Sequence, residues 1–258
     1  MAETTPRPES DEARLVRERE FHNARFEHDD RDAQLKYYDA IADCFRDYWA
    51  RVEQLAAGAD LLEYGCAYGS NALRLAPGAK TATGIDISDV AIERGRQRAR
   101  QQGQDNVRLE AMDAQAMTFA DDSFDLVFGS GILHHLDIDR AYAEIARVLR
   151  PGGRAVFVEP LGHNPAIELY RRFTPSARTP DEHPLLNADF RRFDAAFGTT
   201  RCSFYGLSTL AVVPFRKTAA KAPLFTLTRG LDRGLFALPA VKWWAWYALM
   251  DATKTSEA

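Results

Sequence analysis

The residues best placed to do chemistry begin with Glu63-Tyr64-Gly65-Cys66-Ala67-Tyr68-Gly69. A short apolar run, Leu61-Leu62, ends in an acid and turns at once through small residues. Gly65 and Gly69 can take positive φ, and neither carries a Cβ to hold a ligand off the backbone. Ala67 is the next smallest choice between them. A strand, a tight turn and a following helix of this kind place a nucleotide-like ligand at the carboxyl end of a parallel strand. The next acid at a strand end is Asp86, in Thr83-Gly84-Ile85-Asp86-Ile87-Ser88. It follows at about the 20-residue distance where a ribose-binding carboxylate belongs. Proton chemistry, if the reaction needs it, falls to histidines that titrate near neutrality. His163 and His183 lead that group, followed by Glu182, Glu159 and His134.

The spacing of the small residues narrows the ligand. A dinucleotide fingerprint is G-x-G-x-x-G. Here the third small residue comes one position early, as Gly65-x-Ala67-x-Gly69, with an acid two residues before the first glycine.

The elements that must hold these residues follow an α/β pattern. Leu61–Tyr64, Thr81–Ile87, Val107–Ala111, Phe124–Phe128 and Arg154–Val158 read as strands. Asp89–Gln102, with Ser88 as its N-cap, and Asp139–Leu149, with its stripe of Tyr142, Ile145 and Val148, read as helices between them. Such alternation implies right-handed crossovers and a parallel sheet with helices on both faces. Pro151-Gly152-Gly153 ends the second helix. Upstream, residues 34–55 carry Tyr38, Ile41, Phe45, Tyr48 and Val52 at helical spacing. The arginines Arg94, Arg96, Arg98 and Arg100 read as a solvated face.

At 258 residues the chain suits one decorated α/β domain. Its division is expected to be a charged extension, 1–33, and a main domain, 34–258, the latter split into a ligand-binding core, 34–160, and a substrate loop, helical cap and last strands, 161–258. Residues 1–10 are expected to be disordered, and Glu12–Glu27 to form a helix lying solvated on the surface. Net charge is −4, which gives no basic field for nucleic acid. Three scattered cysteines, Cys44, Cys66 and Cys202, suggest neither a disulfide framework nor a zinc pattern, and they fit a reducing cytoplasm. No apolar run reaches the ~18 residues of a membrane span, and no secretory leader is expected at the charged start.

Four segments in order resemble the class I S-adenosylmethionine (SAM) methyltransferases. Residues 61–73 resemble motif I of that family, 83–88 its motif II, and 109–136 the continuous block of the ubiquinone/menaquinone-type and small-molecule members. Residues 144–160 resemble the segment that follows. The resemblance implies a Rossmann-like sheet with one antiparallel strand and SAM as cofactor. It implies that Asp86 accepts from the ribose hydroxyls and that Ile87 lies against the adenine. Asp113 would receive the adenine amine, with Met112 and Ala114 packed nearby. Gly65, Cys66, Ala67 and Gly69 would line the amino-acid end of SAM. Glu63 would orient that loop, and Gly129 or Ser130 would touch the methionine portion. Tyr37 and Tyr38 would belong to a helix covering the pocket.

After Glu159-Pro160 the pattern thins, and acceptor specificity is expected there. Asn164-Pro165 opens a helix to Phe173, and Pro175, Pro180 and Pro184 punctuate a long loop of the kind that carries function. Thr199–Leu207 and Trp246–Thr253 read as the last strands, and the resemblance implies that the final one is antiparallel and inserted between strands five and six. Residues 210–244 mix Phe215, Leu227 and Leu231 with Arg216, Lys217, Arg229, Arg233 and Lys242. This is expected to form an apolar cap, or a surface able to touch an anionic membrane. The expected reaction is in-line transfer of the sulfonium methyl to an O, N or C of a small or lipid-like molecule, as in secondary metabolism. It needs no metal, and fixed alignment would supply most of the catalysis. A SAM-retaining cyclase or decarboxylase and a non-catalytic subunit are the rivals.

Overall fold

In the computed structural model the described residues are 11–28, 39–173, 182–215, 217–218 and 220–255. The expectations for residues 1–10, Tyr37, Tyr38, Pro175, Pro180 and Arg216 lie outside them. We number the strands β1 (Asp60–Tyr64), β2 (Thr81–Asp86), β3 (Val107–Ala111), β4 (Phe124–Ser130), β5 (Leu149–Pro160), β6 (Gly198–Tyr205) and β7 (Tyr247–Lys254). The helices are α1 (Asp11–His28), α2 (Ala42–Ala56), α3 (Ser70–Leu75), α4 (Asp89–Gln101), α5 (Ile138–Val148), α6 (Pro165–Phe173), α7 (Asn187–Phe197) and α8 (Lys221–Leu235).

The strands form one sheet in the order β3-β2-β1-β4-β5-β7-β6. β7 runs antiparallel to both of its neighbours, and β1 to β5 pair in parallel. The expected insertion of a final antiparallel strand is therefore present. Because β1 pairs with β2 on one side and β4 on the other, the chain reverses its direction of travel at β1. That switch point opens a crevice at the carboxyl ends of the strands, where ligands bind in open α/β sheets.

Alternating side chains of each strand feed two cores. Leu62, Tyr64, Val127 and Phe157 pack with α5 and α7 residues such as Tyr142, Ile145, Phe193 and Phe197. Leu61, Leu126, Phe128 and Val156 pack on the other face with Tyr48 and Val52 of α2 and Ile92 of α4. β1 is buried along its whole length, so Leu61, Leu62 and Tyr64 feed the two cores and the buried acids Asp60 and Glu63 are hydrogen-bonded. Ser88 caps α4 by accepting from the Ala91 N–H at 3.1 Å, and Asp137 caps α5.

Two expectations change. β5 begins at Leu149, not Arg154, because Pro151-Gly152-Gly153 forms an irregularity within the strand: Phe124 pairs with Leu149, but Leu126 pairs with Arg154. The arginines of α4 stay exposed, as expected, and two of them also reach protein groups. Arg96 Nε donates to Leu109 O at 2.7 Å, and the Arg98 guanidinium lies 5.1 Å from the centre of the Tyr68 ring. The apolar cap expected over 210–244 is mixed: Val212 is buried and Trp243 packs on Phe190 and Phe204, but α8 turns leucines outward. Leu227 and Leu231 of α8 are 71% and 54% exposed. α8 is held by polar contacts: Asp232 accepts from Leu207 N at 3.1 Å and Ser208 N at 2.6 Å, Arg229 pairs with Asp43 at 3.2 Å and Lys221 with Asp39 at 2.6 Å. Its cations are thus partly neutralised by acids on and beside α2. No helix among the described residues is long and apolar enough to cross a membrane.

Gly95 in α4 illustrates how closely helix and glycine turn approach. A Cβ there would lie 2.6 Å from the backbone oxygen of Tyr68. Glycine to alanine inside a helix ordinarily gains about 1 kcal/mol. Gly95→Ala should instead destabilise by about 1–3 kcal/mol, because backbone cannot swing aside as a side chain can. The shift in urea midpoint at constant slope measures it.

Candidate functional site

The turn after β1 is built as its residues predict. Gly65, Ala67 and Gly69 all adopt positive φ, at 75°, 50° and 66°. Gly65 N and Cys66 N both donate to Ile85 O, at 3.0 and 2.8 Å, tying the turn to β2. A Cβ on Gly65 would sit 2.8 Å from Ile132 Cγ1, so the loop after β4 closes directly on the turn. Cys66 is buried, which pushes its thiol well above the usual range and leaves it neutral.

Glu63 stands beneath the turn, 4% exposed. Its two oxygens accept from Asn71 Nδ2 at 2.7 Å and Ala72 N at 2.9 Å, so it locks the start of α3 to β1. Burial raises its carboxyl to about 7, against the lowering effect of those two donors. Asn71 was not singled out by sequence reasoning, although it lies at a helix start within reach of the strand-end acid.

Asp86 ends β2 with both oxygens engaged by backbone. Oδ2 accepts from Ala67 N at 2.7 Å, and Oδ1 accepts from Ser88 N at 3.0 Å. A carboxylate oxygen has a second lone pair, so each can still take a hydroxyl. Asp113 follows β3, and its Oδ1 accepts from Gln115 N at 2.9 Å. Met112, Asp113, Ala114 and Ile87 are half-buried around it. Tyr64 OH donates to Ala114 O at 2.6 Å, so a core tyrosine of β1 positions the β3 loop. Two carboxylates ending adjacent strands, beside a tight glycine turn, present acceptors suited to a ligand bearing a diol and an amine.

On the β4 side, Gly129 is buried and Ser130 exposed. A Cβ on Gly129 would lie 2.7 Å from Tyr64 O. The loop then carries His134 and His135. Glu159, 0% exposed near the end of β5, gathers three contacts. Oε1 accepts from Ile132 N and Leu133 N, both at 2.9 Å, and Oε2 meets His134 Nδ1 at 2.8 Å. A carboxylate accepts only, so Nδ1 of His134 is the donor in this pair. Two of the expected proton-handling residues, Glu159 and His134, thus form one unit.

The other expected residues divide. His183 N donates to His134 O at 2.8 Å, and Glu182 Oε1 lies 3.9 Å from His135 Nε2, so the 182–183 segment joins the cluster. His163 stands apart: its Nε2 accepts from Asn187 N at 3.1 Å at the start of α7, and its ring meets Trp243. That lone pair is already used, which removes the reason for placing His163 first.

Helix α1 is the largest departure from expectation. It forms over the expected span but docks instead of lying solvated. Asn23 Nδ2 donates to Asp89 Oδ1 at 2.8 Å, and Asn23 Oδ1 accepts from Ser88 Oγ at 2.5 Å, two residues from Asp86. Arg14 donates to Gln115 Oε1 at 3.1 Å beside Asp113. Glu18 is buried and His22 faces His135. The polar composition that suggested solvent in fact matches a polar crevice edge.

A family profile described as "Methyltransferase domain" matches residues 62–157. The 27-O-demethylrifamycin SV methyltransferase of Amycolatopsis mediterranei is 42% identical over 103 residues, 39% of this chain and 38% of that protein. The methyltransferase GfsG of Streptomyces halstedii is 38% identical over 109 residues, 41% of this chain and 39% of that protein. The chain thus spans about two fifths of the length of these curated relatives. Among solved structures, the [4+2]-cyclase SpnF is 26% identical with a TM-score of 0.57, covering 83% of this chain and 81% of that one. Geranyl diphosphate C-methyltransferase from Streptomyces coelicolor shares the fold at 16% identity and a TM-score of 0.58, covering 84% of this chain and 82% of that one.

Proposed function

Since residues 62–157 form a class I SAM-dependent methyltransferase domain, we propose that the chain transfers the methyl group of SAM to a small or lipid-like acceptor. The observation that carries this reading is the convergence of the Gly65–Gly69 turn, Asp86 and Asp113 at the switch point of the sheet. In it Asp86 accepts from the ribose hydroxyls, Asp113 from the adenine amine, and Ile87 and Met112 flank the base. Gly129 and Ser130 border the methionine portion. SAM supplies a sulfonium methyl open to in-line attack by O, N or C. The chain's own work is alignment and exclusion of water, and fixed near-attack geometry contributes about 7–11 kcal/mol.

His134 is the group that receives a proton from the acceptor, through the Nε2 lone pair that Glu159 secures. The docked α1 and the 182–183 segment support a pocket shielded from solvent on that side. The relatives' names support an acceptor from secondary metabolism. The exposed Leu227 and Leu231 of α8 support delivery of an apolar acceptor along that flank. The likeness to SpnF favours one second reading, in which SAM is held without being consumed while the pocket closes a ring. Formation of S-adenosylhomocysteine together with a product heavier by one methylene separates the two.

Calorimetry with SAM tests the binding half. Glu63 is raised to about 7, so part of the population is protonated at neutral pH. A cation arriving nearby favours the carboxylate. Binding at pH 6.5–7 should therefore release a fraction of a proton, seen as an enthalpy that varies with the ionisation heat of the buffer. Glu63→Gln should remove that variation. The same shift carries a stability sign. A carboxyl raised in the folded state stabilises below its unfolded value and loses that contribution as pH rises through about 7. Absence of any binding heat, with the chain folded, would overturn the reading.

A further inference from the structure

Where α1 crosses the β4 loop, imidazoles and carboxylates from three parts of the chain converge. Glu18 and His22 stand one helical turn apart on α1, with Glu18 Oε2 3.5 Å from His22 Nε2 and 4.0 Å from His135 Nδ1. The His22 and His135 rings meet edge to face at 5.6 Å. One ligating atom from each of Glu18, His22 and His135 falls within a 4.8 Å group. A carboxylate of the 182–183 segment, Glu182 Oε1, stands 3.9 Å from the other ring nitrogen of His135.

Two further facts distinguish this cluster from ordinary ion pairs. Glu18 is 6% exposed, and its Oε1 has no hydrogen-bond donor among the described residues. A buried carboxylate oxygen without a donor is costly. In addition, donor atoms around a zinc ion bound at 2.0–2.2 Å in tetrahedral geometry lie ~3.3 Å apart. The observed 3.5 and 4.0 Å need less than ~1 Å of contraction to reach that spacing.

We propose that Glu18, His22 and His135 bind a divalent cation of the zinc class, with the Glu182 carboxylate facing the other ring nitrogen of His135. Two imidazoles and a carboxylate select such ions over magnesium, which prefers an all-oxygen shell. A carboxylate behind a ligating histidine is the usual outer partner. The ion clamps α1 across the crevice edge, and so, through Asn23, onto the Ser88 turn beside Asp86. This departs from the expectation of no metal and is independent of the transfer reaction, since none of its ligands serves as a SAM contact or as the proton acceptor above.

The test is titration of the full chain, stripped with chelator, with Zn2+ alone. Wild type should take up one equivalent, and hydrogen exchange across α1 should slow when it does. His22→Ala should weaken uptake at least tenfold, and Glu18→Gln, which keeps the side-chain shape, should do the same. Glu182→Gln should weaken it less. Uptake that is absent, unchanged in both Glu18→Gln and His22→Ala, matched by Mg2+, or without effect on α1 exchange overturns the proposal. The readouts need no methyl transfer, so failure of the proposed reaction leaves this result legible.

Discussion

Asp86→Ala should abolish detectable SAM binding by calorimetry, with an affinity loss of at least about a hundredfold. Hydrogen bonds to a charged acceptor are worth ~1.5–3 kcal/mol each, and 1.4 kcal/mol is a factor of ten. Two ribose hydroxyls on one carboxylate therefore account for the hundredfold even with incomplete additivity. Asp86 also receives Ala67 N and Ser88 N, so its removal loosens the glycine turn as well as the ligand. Asp86→Asn is the milder variant: its amide oxygen keeps one backbone N–H while its NH2 faces the other, so both SAM affinity and melting temperature should fall less than in Asp86→Ala. Unchanged SAM affinity in Asp86→Ala would remove the ribose assignment and with it the ligand pose.

Glu159→Gln should leave the protein folded and SAM-binding but lower kcat for an acceptor that must lose a proton by about 10²–10⁴-fold. The reasoning turns on the tautomer of His134. The amide oxygen of glutamine can keep the two N–H groups of Ile132 and Leu133 that now reach Oε1. Its NH2 then faces His134 Nδ1, where the carboxylate stood. A donor at that place requires Nδ1 to accept, which moves the ring proton to Nε2 and closes the lone pair needed for catalysis. Glu159→Ala is the contrasting variant. It leaves two buried N–H groups and the imidazole without a partner and should cost about 3–5 kcal/mol of stability. A kcat unaffected in Glu159→Gln, with product formation followed by mass, would remove His134 from the proton path while leaving the SAM site intact.

Much of this arrangement was legible in order along the chain. The strand-end acids, the positive-φ turn and the helix cap at Ser88 are local features. Each depends on a residue's own conformational freedom or on a hydrogen bond spanning a few residues. A parallel sheet followed from alternation of strands and helices and from the handedness of crossovers, whereas the inserted antiparallel strand followed only from the family resemblance. Errors arose where a residue had two uses and only distant partners decided between them. His163 has the chemistry of a base, but the start of α7 uses its lone pair. The cations and leucines of α8 have the composition of a cap, yet Asp39 and Asp43 draw the cations and the leucines remain outside.

The amino-acid order by itself determined the sheet, the ligand turn and the identity of the acids at the crevice, because period, turn chemistry and strand-end position are short-range properties. Only the tertiary structure decided which of the histidines pairs with Glu159, that Asp86 holds the turn as well as facing the ligand, and that α1 lies across the crevice. Those outcomes depend on contacts between residues 19 to 121 positions apart. No spacing rule links such partners, since the chain path between them is set by packing of the whole sheet.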